Sequence, residues 1–307
     1  MTGLLIQAPA PTEATSIAAR RGRRLWTALR RSPKATVGLA IFALFCLMAV
    51  VPQLFAKESD TVALTFQPEV PPSGAHWLGT TNLGQDIYAQ LIYGTRQSLL
   101  IAVVAGLFAT VLSVIIGVSA AYLGGLADEV LSMLTNVFLI IPTFPLIIIL
   151  SAYAGKGNLT VVLVVLIVTG WSYGANQLRA QALSLRNRDF LESARVRGER
   201  RSYVIVFEVL PTMTSLIVAN FLGAALYSVL TAAGLQFLGL GDPNSASWGT
   251  MLHQSQANLA LQTGMPLWSL APGLCVALLG VSFALLNYAF DEISNPALRP
   301  VRRRRAR

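Results

Sequence analysis

The sequence predicts an all-α polytopic membrane protein with six transmembrane helices and both termini in the cytoplasm, and three observations carry that prediction. First, 54% of the 307 residues are hydrophobic and only 12% charged, with a mean hydropathy of +0.60, more apolar side chain than one soluble core could bury. Second, six apolar runs contain no Asp, Glu, Lys or Arg, and each reaches the roughly 20 residues needed to cross about 30 Å of hydrocarbon. Third, 20 of the 23 Lys and Arg fall in three segments that six spans place on one side, and the excess of positive charge on cytoplasmic loops names that side. The net charge of +9 is explained by topology, because long uncharged runs separate the basic segments and no nucleic-acid face is built.

Residues 1–34 form a basic cytoplasmic tail. Its first 19 residues, rich in Ala, Thr and Pro, read as disordered, and seven Lys and Arg follow between Arg20 and Lys34. The first span, Ala35–Phe55, resembles a signal peptide behind its basic region, but it is longer than an h-region and no small-x-small cleavage site follows, so it is read as uncleaved. It opens a unit of residues 35–97 that ends in an external interfacial segment. There Leu83, Ile87, Tyr88, Leu91 and Ile92 share one helical face, Tyr88 and Tyr93 suit the headgroup level, and Gly94 is placed to end the helix. The segment is either a membrane-surface scaffold or a docking site for an external partner, with Asp86 and Tyr88 as its candidate contacts.

Residues 98–298 supply a five-helix core with spans Ser98–Tyr122, Val130–Tyr153, Leu159–Leu178, Met213–Phe237 and Trp268–Phe290. Pro142 and Pro145 kink the third span of the chain, as a gate element or as packing. The loop 179–211 carries seven basic residues and is cytoplasmic. Leu238–Pro266 has neither Lys nor Arg and is external, with Gly239, Gly241, Pro243 and Gly249 for turns and Trp248 as an anchor at the interface. Residues 299–307 form a basic tail whose arginines suit anionic lipid.

Little side-chain chemistry is available. Cys46 and Cys275 lie inside apolar runs and pack as small hydrophobes, and His76 and His253 have no second imidazole at ligand spacing, so no metal site is expected. The chain has no GxxxxGK[ST] phosphate loop, no HExxH and no Ser/His arrangement within the spans, so neither ATP hydrolysis nor any other catalysis is expected on it. Spans without ionisable groups argue against a channel or a proton-coupled carrier. Broken-helix carbonyls can still bind ions, so an ion-coupled carrier stays as a competing class, separated by whether transport needs ATP or an ion gradient. Asn136, Trp171, Tyr173, Asn176, Asn220, Tyr227, Gln236 and Asn287 are the polar and amphipathic residues of the spans, lining a passage or bonding helix to helix.

The loop RNRDFLESARVRGERRSYVIVFEVLP, Arg186–Pro211, is the most informative stretch. Asp189 and Glu192 have capping-box spacing for a helix over Phe190–Arg197, with Phe190, Leu191 and Ala194 on one face. Gly198 stands where a left-handed turn ends that helix, and a second helical piece runs from about Tyr203 to Pro211. The register of Glu192, Ala194, Gly198, Leu210 and Pro211 resembles the EAA signature of ABC-importer permeases, although Ser193 replaces an Ala and Glu208 replaces an aliphatic residue, where it either pairs with Arg200 or Arg201 or alters the docking angle. HWLGTTNLGQDIYAQLIYGTRQSL at 76–99, AYLGGLADE at 121–129 and FLGLGDPNSASWGTML at 237–252 extend the resemblance to the second permease subunit of dipeptide, oligopeptide and nickel importers, with Thr81 and Gln85 where that family has Asp and Arg.

The resemblance implies a type I ABC importer permease fold in a prokaryotic cell membrane. It implies a heterodimer with a second permease, two ATPase subunits or domains that carry the ATP and Mg, and an extracytoplasmic solute-binding protein that delivers short peptides. Nickel chelates or oligosaccharides are the alternative cargo. Asp189, Phe190, Leu191, Glu192, Ser193, Ala194, Gly198, Leu210 and Pro211 are then the ATPase-coupling residues, and Asp86, Tyr88 and Trp248 face the binding protein or the interface.

Overall fold

The computed structural model describes residues 32–153, 159–186, 188–242 and 245–294. The tails 1–31 and 299–307, Lys156 and Pro243 lie outside the described residues. In chain order the α-helices are α1 (Pro33–Val50), α2 (Ile87–Leu123), α3 (Gly125–Ile140), α4 (Thr143–Tyr153), α5 (Leu159–Gly170), α6 (Ser172–Leu185), α7 (Asp189–Val196), α8 (Arg201–Val204), α9 (Leu210–Thr212), α10 (Thr214–Phe237), α11 (Trp248–Ala257) and α12 (Pro266–Ser294). An isolated antiparallel bridge, Thr80 to Asp86, is the one extended pairing among the described residues. Five stretches are long and apolar enough to cross a membrane: α1, α2, α5 with α6, α10 and α12. The pair α3 and α4, bent by 85°, makes a sixth if counted as one span.

The sequence places these spans correctly and misjudges several ends. Helix α1 stops at Val50, and Pro52–Leu54 is already a 3₁₀ turn. Pro142 and Pro145 do more than kink one helix, because Ile141 is extended and the chain turns through most of a right angle there. The expected interfacial helix does not exist as a separate element. Helix α2 starts at Asp86, whose Oδ1 accepts from the Ala89 N–H at 2.9 Å, and runs unbroken through Gly94 for 37 residues. Gly94 is small for another reason: a Cβ there would stand 3.3 Å from the Ser247 backbone.

Helix α2 is the axis of the molecule, packed by α1, α3, α5, α6 and α10. At about 55 Å it outreaches the hydrocarbon. Its closest neighbours approach through small residues: a Cβ on Gly106 would lie 2.8 Å from Ala225 Cα in α10, and one on Gly117 would overlap the Ala175 carbonyl in α6. Lipid gives no hydrophobic drive for helix pairing, so such close backbone contact supplies the dispersion that holds spans together. Ser113 adds a bond across the pair, donating to the Trp171 carbonyl at 2.6 Å.

Three buried clusters follow. One end of the bundle joins Phe45, Ile87, Leu91, Trp248, Met251, Trp268 and Phe283. The middle joins Ile101, Ala105, Ile147, Leu166, Ala232 and Leu235. The other end joins Val118, Tyr122, Leu178, Leu185, Leu191, Ala194, Val204, Val209 and Met213, and carries α7.

Candidate functional site

At the α7 end, Leu191 and Ala194 are completely buried against α2, α6, α8 and the start of α10, while Glu192, Ser193, Val196 and Gly198 are exposed. Spacing of three residues puts the two anchors on one stripe, which is why eight residues suffice to seat the helix. Asp189 is the first helical residue and not its cap, since the Leu191 and Glu192 N–H groups both donate to the Arg188 carbonyl. Its carboxylate still sits in the first turn, where the helix dipole favours it. Phe190 belongs to this helix, and its side chain lies outside the described atoms.

The Ser193 hydroxyl donates to the Asp189 carbonyl at 2.9 Å, so Ser replaces Ala without leaving a polar group unpaired. Gly198 has φ +75°, and the Glu199 N–H closes the helix end by donating to the Ala194 carbonyl. Among the described residues the Glu208 carboxylate pairs with neither Arg200 nor Arg201, one of the two alternatives read from sequence; Glu199 instead takes Arg197, at 2.9 Å. The second helical piece begins at Arg201, and Ile205–Val209 widens into a π turn just before Leu210 and Pro211. A proline ring crowds the carbonyl four residues back, here Phe207, and a wider turn gives it clearance.

Two polar ties fix the helices that lead into this loop. Arg179 in α6 donates from Nε and Nη2 to the two Asp128 oxygens of α3 at 2.6 and 2.8 Å. The Arg186 guanidinium lies over the Gly124 turn between α2 and α3.

Deeper in the bundle, a cavity of about 420 Å³ is lined from α3 to α6, α10 and α12. Of the span residues singled out by sequence, Tyr173, Asn220, Tyr227 and Asn287 meet there. Asn136 and Asn176 are exposed outside its lining. Two others are taken out of the path. Trp171 is buried against Phe138, with ring centroids 5.2 Å apart, and Gln236 is buried with its Oε1 accepting from the Ser247 hydroxyl at 2.9 Å. Sequence reasoning missed Thr143, Thr169, Ser172 and Gln177 as lining, and the glycines that shape the space. Gly170 and Gly174, on either side of the break at Trp171, are the signal that could have found it, because neither carries a side chain to fill the space.

At the opposite end, Trp248 is 0% exposed, so its side chain packs inside this end of the bundle and is not presented at its surface. Its Nε1 donates to the Leu91 carbonyl at 3.1 Å, its backbone N–H to Ser98 Oγ at 3.2 Å, and its ring meets Phe45 edge-on. The turn-rich reading of this loop hid α11, whose Ser247–Thr250 capping box lacks the Glu or Gln that usually marks one. Asp86 is likewise structural, buried as the α2 cap and paired with His76 Nδ1 at 2.8 Å. Tyr88 is half-buried against Trp77, and Ile87, Leu91 and Ile92 face protein, not lipid. Thr81 and Gln85 meet each other at 3.2 Å, and Gln85 Nε2 donates on to the Thr61 carbonyl at 2.9 Å.

Comparison with known proteins gives a consistent result. The family described as "Binding-protein-dependent transport system inner membrane component" matches residues 109–299, and "N-terminal TM domain of oligopeptide transport permease C" matches residues 21–72. The oligopeptide transport system permease protein OppC of Bacillus subtilis (strain 168) is 29% identical over 274 residues, 88% of each chain. The protein of that name from Mycobacterium bovis is 30% identical over 94% of this chain and 99% of its own. The dipeptide transport system permease protein DppC of Bacillus subtilis is 30% identical over 89% of this chain and 85% of its own.

Proposed function

This chain belongs to the binding-protein-dependent transport system inner membrane components, and from that premise we propose that it forms one half of an ATP-driven import path for short peptides. It is an integral inner-membrane permease component of the ABC type, related to proteins named for oligopeptide and dipeptide transport. The finer reading assigns it a second permease as partner, two ATPase subunits or domains that hold the ATP and Mg, and an extracytoplasmic binding protein. Both termini and α7 lie in the cytoplasm in this reading, and the coupling segment is Asp189–Pro211.

The arrangement of α7 is the observation that carries the proposal. Leu191 and Ala194 tie it into the cluster that holds the ends of α2, α6 and α10, while Glu192 and Ser193 are exposed towards a partner. Asn220 lies seven residues along α10 from Met213 of that cluster, and Tyr173 and Gly174 lie at the other end of α6 from Leu185. A push on α7 therefore moves two walls of the cavity as stiff rods. Close-packed helices shift as bodies and do not absorb the displacement.

Purification of the tagged chain in mild detergent, followed by mass spectrometry, tests this directly. A second six-span permease and ATPases with phosphate loops are expected to accompany it. Recovery of the chain alone, under extraction that keeps a reference transporter complex whole, would contradict the proposal.

A further inference from the structure

The cavity among α3, α4, α5, α6, α10 and α12 is a polar chamber at membrane depth. Asn220 and Tyr227 lie about 9 and about 20 Å along the roughly 36 Å of α10. They line the chamber with Asn287, and among the described residues none of these three side chains makes a hydrogen bond. A polar group without a partner is costly at membrane depth, so water or a cargo has to meet these three.

The surroundings clear space for these groups. A Cβ on Gly174 would overlap the Asn220 amide, and one on Gly170 would press on the Tyr227 ring at 3.4 Å. Both helix breaks open here: Leu139 and Thr143 flank the one at Ile141 and Pro142, and Gly170 and Ser172 flank the one at Trp171. Non-helical backbone at this depth is tolerated where it borders a wet cavity. Among the described residues no Asp, Glu, Lys, Arg or His lines the chamber.

We propose that the chamber is a cargo station that reads the main-chain amide groups of a peptide through Asn220, Asn287 and Tyr227. The inference rests on the permease reading above. A carboxamide donates and accepts as a peptide group does, so it can pair with any residue's backbone. The described lining carries no charge to attract or repel a cargo side chain, so its selection falls on the main chain and tolerates sequence. A volume of about 420 Å³ is within the range of small-ligand sites and suits a short peptide.

The test uses the co-purified complex in proteoliposomes, with the binding protein saturated by trialanine or by its analogue carrying an ester oxygen in place of the middle N–H. Uptake turnover is expected to favour the amide by about two- to tenfold with the unaltered chain, the size of one neutral hydrogen bond. Asn220→Leu removes the acceptor and should bring that ratio towards one. Preferences of the binding protein are common to both chains and cancel between the two ratios. Tyr227→Phe removes one hydroxyl at constant shape, and serves where Asn220→Leu fails to assemble. An unchanged ratio in the variants overturns the cargo station while peptide uptake, and with it the permease reading, stands. No ATP-driven uptake by the unaltered complex overturns both.

Discussion

Single residues carry the coupling segment in ways that the sequence shows unevenly. Gly198 was legible because a helix that must stop abruptly needs a left-handed residue, and its φ is +75°. Among the described residues, its two chain neighbours apart, no atom lies within 4 Å of where its Cβ would be, so the requirement is in the backbone and not in packing. A β-branched residue there costs on the order of 1–2 kcal/mol, and Asn less. Gly198→Val is therefore expected to lower ATPase recovery and peptide uptake at normal membrane insertion, with Gly198→Asn in between; equal uptake by all three chains would remove the role. Thr81 and Gln85 show the reverse. They look like lost charge contacts to an outside partner, yet Thr81 is buried and the two side chains bond to each other. Pattern gives residue types, and only the fold shows that the two face inward as a neutral pair.

Elements were read well where periodicity and length decide, and poorly where burial decides. The charge-free runs locate the spans because no other use of 20 apolar residues is common. An amphipathic stretch such as Ile87–Ile92 is ambiguous, since an apolar face meets lipid and protein alike; here Trp248 and Phe45 cover it. Helix α11 escaped because its cap uses Thr250 in place of an acidic residue. The link between α3 and α6 is another feature set by the fold, as Asp128 and Arg179 are 51 residues apart. Their two-point pairing and partial burial predict a coupling of about 1 kcal/mol, at or above the upper range for exposed pairs. Asp128→Asn and Arg179→Gln should each lower the unfolding temperature in detergent, and the double variant should fall by less than their sum. Strict additivity would show that the pair holds nothing together.

For the whole molecule, the distribution of Lys and Arg predicts a topology that the described helices are able to follow if α3 and α4 together count as one bent span. The candidate path was only half legible: Tyr173, Asn220, Tyr227 and Asn287 converge, whereas Trp171 and Gln236 are spent on packing and capping. Polarity within a span marks both uses equally, and three-dimensional neighbours separate them. The account as a whole depends on α7 meeting an ATPase on the cytoplasmic side. Its most direct measurement places a cysteine at exposed Glu192, in a chain whose Cys46 and Cys275 have been replaced by Ala. A thiol cross-linker is then applied to inside-out vesicles with and without ATP. A cross-link to an ATPase subunit whose yield changes with nucleotide is the expected result. Failure to reach any ATPase in vesicles that still import peptide, or capture of a protein from the opposite face, would contradict it.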